Sequence, residues 1–455
     1  MLKTLVGDRA FYKRLLLLML PIMIQNGFTN FVNMLDNIMV GTVGTAQMTG
    51  VAVANQLIFV FNLCIFGAVS GAGIFGTQFF GSGDHEGVRH TFRFKFLFCG
   101  LITIAGILLF VFCGEPLLKL YMQGDQGVTD AAATLHYARE YLLIMLIGLI
   151  PYTIVQCYSS TLRESANPTP PMVAGVAAVL VNLVLNYILI FGKFGAPALG
   201  VNGAAVATVV SRFVELGIIA VWAHRFPFMH GVFRTLYVPR KRIAQLFING
   251  LPLMINETLW ASGVALVNQC YSMRGLDAVA AGNISQTFWN VFAIAYMAVG
   301  NAVGIILGQM LGAGKLKEAK EASYKMIAFS CAIAVCMGAI YSVCAEFIPL
   351  IYNTAPEIRA LATTLMQITA ITMPFEALTH ASYFTLRSGG KLMITLIFDS
   401  GFMWCVNVLL AFTLSRFTTL SFVWMFAIIH AATLLKGIFG IILVRKGSWI
   451  KNIIN

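Results

Sequence analysis

Residues 21–41 run PIMIQNGFTNFVNMLDNIMVG. Wound as a helix, this stretch sets Asn26, Asn30, Asn33 and Asn37 at steps of three and four, with Thr29 and Asp36 beside them. That spacing gathers the amides and one carboxylate into a single stripe, while Ile, Met, Phe, Val and Leu fill the other faces. If the helix spans a bilayer, the stripe must face other helices or water, because lipid offers a polar group no partner. A carboxylate at that depth is unfavourable by roughly 2.5 kcal/mol or more on insertion scales. Asp36 is therefore the first candidate for function.

The remainder of the chain fixes the class. Of its 455 residues 59% are hydrophobic and only 11% charged, and the mean hydropathy is +0.83. Soluble domains devote about a quarter of their residues to charge, so this composition belongs to a polytopic membrane protein. Apolar stretches of spanning length fall at about 15–40, 50–80, 93–113, 137–162, 170–192, 199–223, 244–272, 278–311, 324–345, 359–386, 391–415 and 419–444, which predicts an all-α protein with twelve transmembrane helices. The N-terminus begins basic, runs into an apolar stretch of spanning length and lacks a small-residue cleavage site. That is the pattern of a retained first helix. The nine cysteines form no CxxC pair and sit mostly in apolar stretches, as free thiols packed among helices do.

Charge placement sets the topology. With the N-terminus in the cytoplasm, most of the 30 basic residues fall in inside segments, including the run Arg240-Lys241-Arg242. The positive-inside rule then places both termini in the cytoplasm and accounts for the net charge of +12 without nucleic acid.

The chain also repeats itself. The one offset that carries Pro21 onto Pro252 also carries Leu35 and Asn37 onto Leu266 and Asn268. It carries Gly73, Gln78, Gly81 and Gly83 onto Gly304, Gln309, Gly312 and Gly314. Thr161-Leu162-Arg163 recurs as Thr385-Leu386-Arg387 at a slightly different offset. Six spans separate the matching points, so both halves have the same orientation. This predicts two six-helix lobes, residues 1–223 and 244–455, related by a pseudo-two-fold axis along the membrane normal and joined by a basic cytoplasmic linker at 224–243. The halves differ in charge: Asp36 falls on Val267, and Glu257 on Asn26. Scaffold is repeated and acid is not.

Of the 18 acidic residues, Asp36, Glu215, Glu257, Glu376 and Asp399 lie well inside spans. Burial favours the neutral form of a carboxyl unless a cation or hydrogen bonds hold it ionised. Acids so placed can exchange a proton or bind Na+ or an organic cation, with Asp36, Glu257 and Glu376 the candidate Na+ ligands. The competing reading is a structural pair with Arg212, His380, His430 or Lys436; Glu215 follows Arg212 by three residues and suits that reading. Asn182 and Asn186 share a helix face at i, i+4, and Thr208 follows the small-residue run GAAVAT, which permits close helix approach. Their oxygens with a carboxylate make an oxygen-rich site suited to a hard cation. Trp260, one turn from Glu257, could set a ring against a cationic ligand. Walker, HExxH, GxSxG and metal-spaced Cys/His motifs are missing. The chain therefore reads as neither an enzyme nor a cofactor protein, and transport by it would draw on an ion gradient.

Several stretches, in their order and spacing, resemble the multidrug and toxic compound extrusion (MATE) transporters: NMLDNIMVG (33–41), GTQFFGSGD (76–84), TLRESANPTPPM (161–172), NLVLNYILIFGKFGAPALGVNGAAVAT (182–208), GLPLMINETLW (250–260), ILGQMLGAG (306–314) and FEALTHASYFTLRSGG (375–390). The resemblance covers nearly the whole length. It implies a cation-coupled antiporter that exports small organic cations in exchange for Na+ or H+, working as a monomer in the lipid of the plasma membrane. It also implies that Asp36 is the acid of an N-terminal-lobe cation site, with Asn182, Asn186 and Thr208 around it. Some relatives carry Asp where this chain has Asn186, so the site here has one charge fewer. Glu257 and Glu376 match acids of a C-terminal-lobe cation site in one branch of the family. The alternative class is a lipid-linked oligosaccharide flippase, which should need a more strongly cationic cavity for pyrophosphate.

Overall fold

The computed structural model describes residues 5–122, 131–352 and 354–454. Twelve long helices follow one another in these residues: α1 Arg9–Gly41, α2 Thr45–Ser82, α3 His85–Met122, α4 Ala131–Glu164, α5 Thr169–Phe191, α6 Val201–Ala223, α7 Arg240–Ser272, α8 Leu276–Gly312, α9 Leu316–Cys344, α10 Pro356–Ser388, α11 Leu392–Phe417 and α12 Phe422–Lys446. No strand occurs among the described residues. A chain this apolar can satisfy its backbone in lipid only by bonding within each segment, and the helix does so.

Eleven of these helices are long and apolar enough to cross a membrane. The other, α10, has 33 residues but carries a run of threonines. Thr363, Thr364, Thr369 and Thr385 return their hydroxyls to carbonyls one turn back, so the helix holds polar side chains without leaving them unsatisfied. The twelve expected spans are all helical.

The chain divides into two compact units. The N-terminal unit holds residues 24–76 and 85–250; the C-terminal unit holds 1–23, 77–84 and 251–455. The changes of unit within α1 and α7 fall between Met23 and Ile24 and between Gly250 and Leu251, within about one turn of Pro21 and Pro252, residues that the repeat matches. A proline inside a helix removes an i→i−4 bond and crowds the preceding turn, which favours a change of direction there.

Within the C-terminal unit the ends of α2 and α8 cross at repeat-matched residues. A Cβ on Gly81 would lie 2.0 Å from the Gln309 carbonyl oxygen, and one on Gly312 would lie 2.0 Å from that of Gln78. Only glycine allows backbones this close. The Gln78 amide donates to the carbonyls of Ser388 and Lys451 at 3.1 and 3.2 Å, and its oxygen accepts from the Ile453 backbone N–H at 2.9 Å. The tail after α12 is thereby fastened to the ends of α2 and α10.

Within the N-terminal unit the segment after α6 is built into the fold. It forms a short 3-10 turn at Pro227–Met229 and buries Phe228, Met229 and Val232. Arg93 of α3 donates to the Val232 carbonyl at 2.8 Å. The nine cysteines are free.

Candidate cation sites in the two units

In the N-terminal unit, α1, α5 and α6 bring four of the expected residues together. Asn186 donates to one oxygen of Asp36 at 2.6 Å. Asn182, one turn earlier on α5, lies against the same carboxylate. With its amide oriented to satisfy its neighbours, its nitrogen donates to the Asp36 oxygens at 2.9 and 3.3 Å and its oxygen accepts from Thr208 Oγ at 3.2 Å. Thr208 Oγ also lies 3.0 Å from the Ala204 carbonyl one turn back. Asn182 and Asn186 are buried and Asp36 is half-buried. The i, i+4 spacing on α5 presents both amides to one carboxylate, and the small residues of α6 let Thr208 come close behind them.

The amides that meet Asp36 are thus those of α5. Of the α1 stripe, Asn30 and Asn33 are exposed and Asn26 is half-buried, while the side chain of Asn37 lies outside the described residues. Among the described residues no cationic side chain forms an ion pair with Asp36. Arg212, the basic residue of α6, is engaged by Glu215 of its own helix at 3.0 Å and lies over the Tyr152 ring at 5.1 Å.

In the C-terminal unit the acids have other company. Glu376 on α10 accepts from Trp289 Nε1 at 2.8 Å and Tyr296 OH at 3.0 Å, both from α8. His430 on α12 lies 3.7 Å from its second oxygen and stacks on Phe426 at 4.1 Å between centroids. Glu257 on α7 accepts from Tyr383 OH at 3.0 Å and interacts electrostatically with Arg387 and Asp399. Asp399 is paired with Lys436 at 2.6 Å and accepts from Asn256 Nδ2 at 3.1 Å. Glu257 and Glu376 share no hydrogen-bond partner among the described residues. Trp260 is 39% exposed.

The sequence singled out Arg212, His380, His430 and Lys436 as structural partners for the acids; Arg212, His430 and Lys436 are each found beside one, whereas His380 packs against Tyr296 and Phe384 and forms no ion pair with an acid among the described residues. It did not point to Asn256, Tyr383, Trp289 or Tyr296. Asn256 precedes Glu257 directly, and Tyr383 lies two turns from Glu376, so only packing reveals that they meet the acids. The Lys95–Glu164 pair was also not foreseen. There Lys95 Nζ lies 2.6 Å from both carboxylate oxygens and its side chain is fully buried. Gly73 and Gly76 of α2 leave the space for Glu164, since a Cβ at either would meet its oxygens at 2.4 Å. Both residues lie near span ends, where a charge raises no alarm in the sequence. One further departure is local. In α11 two stretches, Ile397–Gly401 and Met403–Val408, are wound as π-helix, and the first carries Asp399.

Chemically, the Asp36 site is an anionic carboxylate with neutral donors and hydroxyl and amide oxygens nearby, open to a proton or a hard cation. The Glu376 site is a carboxylate walled by aromatic rings, suited to an organic cation.

The family model described as MatE matches residues 21–188 and 252–413. The chain is 23% identical over 442 residues to a probable multidrug resistance protein NorM of Thermotoga maritima, covering 96% of this chain and 93% of the relative. It is 27% identical over 365 residues to the multidrug resistance protein MdtK of Pectobacterium atrosepticum, covering 79% of this chain and 78% of the relative. Its fold is similar to that of a multidrug resistance MATE family transporter of the MOP superfamily solved in an outward-facing conformation, with a TM-score of 0.86 at 18% identity over 98% of both chains.

Proposed function

This chain belongs to the MatE family, and we propose that it is a secondary antiporter that exports cationic organic compounds in exchange for Na+ or H+. It is a multi-pass membrane protein; in this reading it sits in the plasma membrane with both termini cytoplasmic and works as a monomer. The relatives named as multidrug resistance proteins support export of varied small molecules.

One observation carries the mechanism: Asp36 is held by amides and, among the described residues, by no cation. A carboxylate in an apolar unit with only neutral donors has an unmet need for positive charge. A proton or Na+ from outside meets it, with Asn182, Asn186 and Thr208 supplying oxygens and orienting hydrogen bonds. Coupling then requires that bound cation and bound substrate oppose each other, so that each lowers the affinity of the other. Glu376, with its indole and phenol donors and its flanking rings, receives the charged group of the substrate, and Glu257 adds negative potential in the same unit. An anionic pyrophosphate has no complement at a carboxylate lined by amides, which weighs against the flippase alternative.

The test is dye transport in proteoliposomes with the Na+ and H+ gradients imposed one at a time. One of the two gradients should drive uphill movement of a cationic dye. Transport that ignores both would remove the antiporter reading.

A further inference from the structure

We propose that Lys436 is a tethered cation that occupies the Asp399 centre of the C-terminal unit, so that this centre binds no free coupling cation. The inference deepens the reading above and rests on it, because it assigns cation exchange to Asp36 and leaves the second centre charged from within.

The geometry is that of a filled cation site. The Lys436 ammonium lies 2.6 Å from Asp399 Oδ1, and its nitrogen sits 5.4 and 5.9 Å from the centroids of Phe398 and Phe402. Those rings favour a cation between them. The other oxygen of Asp399 accepts from Asn256 at 3.1 Å. Asn256 is completely buried and is fixed by Ser400, whose hydroxyl lies 2.7 Å from its side-chain oxygen. The same Asn256 nitrogen lies 3.3 Å from Tyr383 OH, and Tyr383 donates to Glu257. The relay Lys436–Asp399–Asn256–Tyr383–Glu257 thus runs from the ammonium through a carboxylate, an amide and a phenol to a second carboxylate. Without that ammonium Asp399 would be a carboxylate held by an amide alone, as a site for a hard cation requires.

The repeat sharpens the point. The offset that carries Thr161-Leu162-Arg163 onto Thr385-Leu386-Arg387 also carries Arg212 onto Lys436 and Gly175 onto Asp399. Each unit therefore has a basic residue at this place. In the N-terminal unit it is Arg212, which Glu215 of its own helix engages, and Gly175 offers no acid. In the C-terminal unit Asp399 supplies the acid, and the basic residue reaches across to it. A tethered charge already at contact distance excludes a free cation by occupancy and by repulsion.

The test measures binding. In a protein carrying Asp36→Asn and Glu376→Gln, thermal unfolding in detergent is followed as Na+ replaces N-methylglucamine at constant ionic strength. With Lys436 present, no saturable Na+ effect is expected. Adding Lys436→Gln should produce a saturable upward shift of several degrees, and Lys436→Arg in its place should not. A second variant guards against misfolding: Lys436→His should show the Na+ shift at pH 8.5, where imidazole is neutral, and lose it at pH 5.5. A saturable Na+ shift with Lys436 intact overturns the inference. So does its absence in both the Gln and His variants, or its persistence when Asp399→Asn is added. Failure of the Asp36 reading would show separately, as undiminished coupled transport by Asp36→Asn alone.

Discussion

Asp36 in the N-terminal unit and Asp399 in the C-terminal unit are both aspartates on membrane helices, yet they are held in opposite ways. Asp36 receives hydrogen bonds from amides. Asp399 receives an amide and a lysine ammonium at 2.6 Å. A neutral donor steadies a carboxylate without cancelling its charge, whereas an ammonium cancels it. In the proposed function the first arrangement admits a mobile cation and the second does not, so that one repeated scaffold serves two electrostatic tasks.

The comparison can be broken most forcefully at a third acid. The Lys95–Glu164 pair lies in the same unit as Asp36 but is settled like Asp399. Lys95→Met leaves Glu164 buried without its cation, and removing one member of such a pair costs about 3–5 kcal/mol. The expected result is a large fall in the detergent unfolding temperature, largely recovered in Lys95→Met/Glu164→Leu with coupling intact. If the single variant unfolds like wild type, buried acids here do not need their cations, and the contrast loses its basis.

A smaller effect is expected at the amides. Asn186→Ala removes a hydrogen bond to a charged acceptor, worth about 1.5–3 kcal/mol. Na+ affinity, read as the half-saturating Na+ concentration for dye efflux, should weaken by roughly ten-fold or more. Asn186→Asp should shift it the other way by adding a second carboxylate. Identical affinities in all three proteins would detach Asn186 from the site. The smallest effect belongs to Glu257. In the proposed mechanism it receives neither the coupling cation nor the charged group of the substrate, so Glu257→Gln should leave dye efflux within about two-fold of wild type at equal expression. Complete loss would mean that Glu257 exchanges a cation itself.

Much of this was legible in the sequence. Twelve apolar stretches gave the spans, because length and polarity decide what crosses a bilayer. The repeat pointed to Gln78, Gly81, Gln309 and Gly312, which turned out to pack against one another. For the N-terminal site, i, i+4 spacing on α5 sufficed to place Asn182 and Asn186 on one face, and the MATE resemblance supplied Asp36 and Thr208 as their company. What stayed hidden depends on distance between helices. Nothing in local spacing says that Asn256 bonds Asp399 across 143 positions, or that Lys95 reaches Glu164. The stripe on α1 misled in one respect: its own amides, where described, lie off the carboxylate, which is met by amides of α5 instead. The change of unit beside Pro21 and Pro252 was also invisible, since hydropathy runs straight through both prolines.

The central claim is that Asp36 surrenders its cation when substrate binds. Purified protein in weakly buffered detergent, loaded with radioactive Na+ or followed by a pH indicator, can be titrated with a cationic dye. Wild type should release Na+ or protons in proportion to dye bound, and Asp36→Asn should bind dye while releasing neither. Equal release from both proteins would contradict the account.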